Sequence, residues 1–193
     1  MDVRLKQVLV VAVAASGLLF GVVQPATGVS GQPAKTTTKI NFEIGSAPCT
    51  FDQTVPLGEE YASRGVHFQG PASGEGGAIL NQCGTFGVDA RSGDQFLAFS
   101  TGTYALDPET ITFDKSVKQV VCWVANGSAD PSTFVLVAMR HGKEVARKTV
   151  DPQIVGYTKL AVSFAKGFDS VALSGTTPDG SYVVDDLAFT RKG

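Results

Sequence analysis

Tyr182-Val183-Val184-Asp185-Asp186-Leu187-Ala188-Phe189 decides how this chain is read. Its β-branched, aromatic and aliphatic residues make it a strand. Alternation places Val183, Leu187 and Phe189 on one face, and Asp185 falls on that same apolar face. A carboxylate turned toward a core costs on the order of several kcal/mol unless it is hydrogen-bonded, paired or bound to a cation. Asp185 therefore needs a partner, either a protein donor or a hard cation. Asp186 is expected on the opposite face, so the two aspartates cannot act as a catalytic pair on one substrate.

Working back toward the amino terminus, short alternating runs recur with turn residues between them. Val171 and Leu173 form one, and Leu160, Val162 and Phe164 another. Phe134 to Met139 and Val117 to Val124 are apolar on both faces and read as central strands. Trp123, inside the latter, is expected in the core. Arg140-His141-Gly142-Lys143 is a tight turn, where histidine tolerates left-handed backbone, joining Phe134–Met139 to a strand at Glu144–Val150. Ile111 to Phe113, Phe96 to Phe99, Val66 with Phe68, and Ile40, Phe42 and Ile44 complete the series. Gly58-Glu59-Glu60-Tyr61 is expected to make a single helical turn. No segment from Lys39 onward carries a helical apolar period. Nine or ten short strands without helical crossovers predict an all-β, two-sheet antiparallel β-sandwich, with a jelly roll as its favoured version.

The 193 residues divide into three parts. Residues 1–30 read as a signal peptide: Arg4 and Lys6 precede an apolar run from Val8 to Val23, and Pro25, Ala26, Thr27 and Gly28 follow. The run falls short of the roughly 20 residues that span a bilayer. Residues 31–39 read as a polar linker and 40–190 as the sandwich domain. Sixteen basic and eighteen acidic residues give a net charge of −2, without the basic excess that nucleic acid or an anionic membrane demands. The expected product is a secreted, extracellular monomer.

Of the three cysteines, Cys49 and Cys83 lie in loop-like sequence, whereas Cys122 sits inside a strand and suits burial as a small hydrophobe. A Cys49–Cys83 disulfide is expected, worth about 4 kcal/mol on the chain-entropy model. Zinc is disfavoured, since there is no CxxC pair and only two histidines.

Phe42-Glu43, Glu60 to Phe68, Phe96-Leu97-Ala98-Phe99, Ile111-Thr112-Phe113 and Asp185 to Phe189 together resemble a group of bacterial extracellular proteins, many with PEP-CTERM tails. Their domain is similar to the galactose-binding-like jelly roll of family-6-type carbohydrate-binding modules. This chain ends at Arg191-Lys192-Gly193 without a sorting motif, so free secretion is expected over anchoring. The resemblance implies a structural calcium ion between the first and last strands, with Asp185 and Glu43 as ligands and Asp52 in reserve. Glu43 fits only if a bulge re-aims it, because alternation sets it opposite Phe42 and Ile44.

Catalytic constellations are weak. His67 is the one plausible catalytic histidine, but no Gly-x-Ser-x-Gly accompanies it. Glu59, Glu60, Glu75 and Asp94 show no glycosidase spacing. Gly70 to Gly77 lacks the Lys-Ser/Thr of a phosphate loop. Tyr104 and Tyr157, with Tyr61, are the expected sugar-stacking residues. The chain is therefore expected to be a non-catalytic module binding extracellular glycan or a surface protein. A structural matrix or envelope protein, and a secreted hydrolase of polysaccharide or ester, are the alternatives.

Overall fold

A computed structural model describes residues 34–54, 56–69, 77–100, 108–126, 132–151, 156–176 and 181–191. The expected signal peptide lies outside them. Nine strands form within them: β1 (Thr36–Ile40), β2 (Val66–Gln69), β3 (Ala78–Asn81), β4 (Gln95–Ser100), β5 (Glu109–Ala125), β6 (Thr133–Arg140), β7 (Lys143–Val150), β8 (Thr158–Thr176) and β9 (Ser181–Arg191). Every pairing is antiparallel.

β5 and β8 belong to both layers of a β-sandwich. The first part of β5 pairs Glu109–Thr112 with Ser170–Leu173 of β8 and, on its other edge, with β2. β8 continues to β6 and then β7, giving a layer ordered β7-β6-β8-β5-β2. Register shifts between Thr112 and Gln119 then carry β5 round a corner. Beyond it, Gln119–Val124 pairs with Thr158–Ser163 of β8 on one side and with β9 on the other. β9 passes to β4 and β3 near its start and to β1 near its end.

The core between the layers follows from alternation. Ile111, Phe113, Val117, Val120, Cys122 and Val124 of β5 are all buried. They meet Phe134, Leu136 and Ala138 of β6 and Leu97 and Phe99 of β4 in one cluster. Tyr182 joins the layers, stacking on Phe99 with centroids 4.6 Å apart and meeting Phe134 edge-on at 5.4 Å. The two-residue β6–β7 turn has φ +51° at His141 and +73° at Gly142, the geometry of a type I′ hairpin.

Several boundaries differ from expectation. β1 begins at Thr36, inside the expected linker, because pairing with Leu187–Arg191 recruits a polar threonine run that has no apolar pattern of its own. It ends at Ile40, and Phe42, at φ +60°, leaves the strand while remaining fully buried. The segments at 111–113 and 117–124 are one strand, as are 160–164 and 171–173. The helical turn expected at 58–61 is a 3-10 turn at Ala62–Arg64.

Cys49 and Cys83 are joined, as the sequence predicts, across 34 residues of chain. Cys122 is a buried free thiol, pushed up to about 12 by desolvation alone.

Candidate binding face

β9 carries a bulge. Trp123 of β5 pairs with Asp185, but Val121 pairs with Ala188, so Asp186 and Leu187 together oppose Cys122. Asp186 takes φ +50° to make this possible. The bulge reverses the phase of the strand. Tyr182 and Val184 face the core before it, and Leu187 and Phe189 face the core after it. Val183 instead lies in a second cluster with Leu80, Phe96, Ala98 and Ala125 on the outer face of the β9 layer. Asp185 shares that outer face with Trp123. This corrects the alternation argument, which placed Val183 and Asp185 beside Leu187 and Phe189.

Asp185 is nonetheless fully buried, because the loop from Gln82 to Asp94 covers it. Its Oδ2 accepts from the amides of Arg91 (2.9 Å) and Ser92 (3.0 Å), and its Oδ1 accepts from the Asp186 amide at 2.7 Å. Burial pushes its carboxyl up to about 6, against the pull of those amides toward the ionised form. Asp186 pairs with the Arg91 guanidinium and accepts from Ser92 Oγ at 2.8 Å. Glu43, released from strand alternation by the turn at Phe42, accepts from the amides of Asp94 and Gln95, each at 2.9 Å. A Cβ on Gly93 (φ +64°) would stand 2.2 Å from that carboxylate, so the approach requires glycine. Gln82 bonds both Ala90 and Asp94, and Cys83 is held by its disulfide.

So pinned, the loop presents two adjoining grooves. In the first, of about 280 Å³, the Arg91 guanidinium lies 3.8 Å from the centroid of the Trp123 ring. Trp123 is half-buried on the outer face of β5, not in the core as its sequence suggested. The floor continues through Val121 and Ala188, and Lys39 and Lys159 stand at the sides. The second groove, of about 510 Å³, runs between Phe86, Val88 and Asp89 of the loop and Tyr157 at the approach to β8. The Tyr157 hydroxyl is buried. Desolvation first, and then the Asp185 and Asp186 charges, push it above the ordinary tyrosine range.

The other expected site residues fall elsewhere. Tyr61 is buried against Phe42 and Phe68, edge-on to Phe42 at 6.0 Å, so it offers no face to a sugar. The reason is tertiary: the ring joins the core beside Phe42 and Phe68, just ahead of the 3-10 turn that leads into β2. Tyr104 and Glu75 lie outside the described residues. Asp52 is exposed on the 3-10 turn Phe51–Gln53. Asp185, Glu43 and Asp52 do not converge. Among the described residues no group of three or more His, Cys, Asp or Glu side chains gathers to hold a metal. Calcium takes six to eight oxygens, whereas Asp185 meets amide N–H groups at both of its oxygens. The donor set present does not fit the ion.

His67 is clasped at both nitrogens. Nδ1 meets Glu59 Oε2 at 2.5 Å and Nε2 meets Asp114 Oδ1 at 2.8 Å. The Asp114 and then the Glu59 hydrogen bonds raise its pKa. Two acceptors favour the imidazolium, which donates from both nitrogens. A general base needs a free ring nitrogen facing a nucleophile, whereas both ring nitrogens of His67 are held by carboxylates. Glu60 accepts from the Gly58 amide at 2.7 Å and Asp94 from Gln82 at 2.8 Å, so these carboxylates also serve local structure.

The sequence matches no protein-family model and no curated protein. The fold does have counterparts. The K2 cleaved adhesin domain of Lys-gingipain is similar at TM-score 0.50 and 13% identity, over 81% of this chain and all of that one. A DUF4465 family protein from Bacteroides caccae is similar at TM-score 0.52 and 11% identity, over 87% of this chain and 96% of that one. A family 11 carbohydrate-binding module of Clostridium thermocellum gives a looser likeness, at TM-score 0.37 and 9% identity, over 81% and 95% of the two chains. At these identities the likeness speaks for the sandwich fold alone.

Proposed function

We propose that this protein is a secreted, non-catalytic module that binds extracellular glycan on the outer face of the β9 layer. The carrying observation is the loop Gln82–Asp94, fixed by three carboxylates and a disulfide, which sets Phe86 opposite Tyr157 and Arg91 on Trp123. An aromatic-lined groove whose walls are already ordered avoids much of the entropy cost of binding. Aromatic side chains suit sugars, since a pyranose has an apolar C–H face and a polar rim. The fold is one that an adhesin domain also uses. The disulfide suits an oxidising compartment. No helix among the described residues is long and apolar enough to cross a membrane.

A glycan array followed by titration calorimetry tests the proposal. Binding to at least one polysaccharide is expected, and Tyr157→Ala should weaken it about tenfold or more while the domain stays folded. An array without any binder would leave a matrix or envelope role. Turnover of a polysaccharide or ester, lost in His67→Ala, would replace binding with hydrolysis.

A further inference from the structure

We infer that the groove at Trp123 takes the acidic residues of a carboxylate-bearing glycan. The inference rests on the glycan-binding reading and specifies its ligand. Register places Lys39 beside Ala188 and Ala188 beside Val121, all on the outer face, while Lys159 lies directly opposite Trp123. Two ammonium groups, on β1 and β8, thus flank an apolar floor built from the two strands between them, β9 and β5. Among the described residues neither has an ion-pair partner. The third cation, Arg91, is paired with Asp186, and it covers the Trp123 ring. Among the residues that line the groove, three cations face the single carboxylate of Asp186, an excess of two, while the buried Asp185 carboxylate lies behind the Arg91 backbone.

A neutral sugar would use the floor and leave both lysines unemployed. A uronate chain uses both features: its C–H faces rest on Val121, Ala188 and the edge of Trp123, and its carboxylates reach the ammonium groups. The adjoining groove carries Asp89 and no cation, so the carboxylates are drawn to the Lys39–Lys159 side. Charge complementarity of this kind selects the partner and is weakened by salt.

The test pairs polygalacturonate with its carboxyl-reduced form, which keeps the polymer and removes the charge. Alginate, hyaluronan and neutral β-glucans complete the panel. The protein should bind polygalacturonate or another uronate polymer at least about tenfold more tightly than the reduced polymer. That preference should shrink as salt rises from about 0.05 to about 0.5 M. Lys39→Ala with Lys159→Ala should abolish it with an unchanged melting temperature, and the two Lys→Arg substitutions should keep it. Equal binding of charged and reduced polymer, binding to neutral glycans alone, or an unaffected double alanine variant overturns the inference and leaves the glycan-binding reading standing. Binding to no glycan at all removes both.

Discussion

Asp185 shows how a single residue can be legible in kind but not in place. Its need for a partner follows from its neighbours in the sequence, and it has one: three backbone amides. Which face it occupies was not legible, because the bulge at Asp186 depends on pairing with a strand some sixty residues earlier. Asn at 185 keeps one acceptor oxygen but turns an NH2 group toward at least one buried amide. An unsatisfied buried donor costs about 1–3 kcal/mol. Asp185→Asn should therefore lower the melting temperature by roughly 3–10 °C, with or without calcium. Asp185→Ala, which leaves all three amides without an acceptor, should cost more. Calorimetric melts of the two variants check the order, and an unchanged Asn variant would show that the amides find other acceptors.

At the scale of elements, most strands with an apolar period were readable and β7 was readable from the tight turn before it, whereas the four-residue β3 and the threonine-rich β1 were not. β1 is mostly threonine and is recruited by β9, and the bends in β5 and β8 join segments that look separate in the sequence. The loop Gln82–Asp94 was the largest omission. Its fixing groups lie far off in the sequence, Glu43 just beyond β1 and Asp185 and Asp186 on β9, and only the Cys49–Cys83 pairing hinted that it is ordered. Opening that disulfide should cost about 4 kcal/mol on the chain-entropy model. Reductant should accordingly lower the melting temperature by on the order of 10 °C. Cys122, 1% exposed and with its thiol pushed up to about 12, should stay unreactive to alkylating agents in the native protein. Mass spectrometry after alkylation distinguishes the three cysteines. The link between the first and last strands is β-pairing between β1 and β9, together with carboxylate contacts to the 91–95 segment. Melting curves in calcium and in chelator should therefore superimpose. A separation of several degrees would mean that ligands converge in a way the described residues do not.

For the whole molecule, the two groups that are raised and titrate between acid and neutral pH, Asp185 and His67, point the same way. Asp185 holds its proton up to about 6 in the folded chain against an ordinary 3.8, so folding takes up a proton between those values and stability falls as pH rises through them. His67 is likewise raised above its ordinary 6.5, and the Asp114 and Glu59 hydrogen bonds are the cause. Its stabilising contribution is complete below 6.5 and disappears as pH climbs through the folded value, when the imidazole loses the proton that lets it donate to both carboxylates. Glu144 has the opposite sign: Arg147 lowers it, and its contribution is lost only as pH falls below the ordinary carboxylate value. Because it is exposed, screening keeps that loss small. The domain should thus be most stable on the acid side of neutrality, losing melting temperature as pH rises from 3.8 through about 6 and losing more as it climbs above 6.5. His67→Gln should flatten the upper half of that slope and Asp185→Asn the lower half. Asp114→Asn should lower the His67 titration midpoint, followed by imidazole proton resonances, more than Glu59→Gln does. A melting temperature that instead rises across the same range would show that the Asp185 amides outweigh its burial and that the His67 clasp contributes little to the fold.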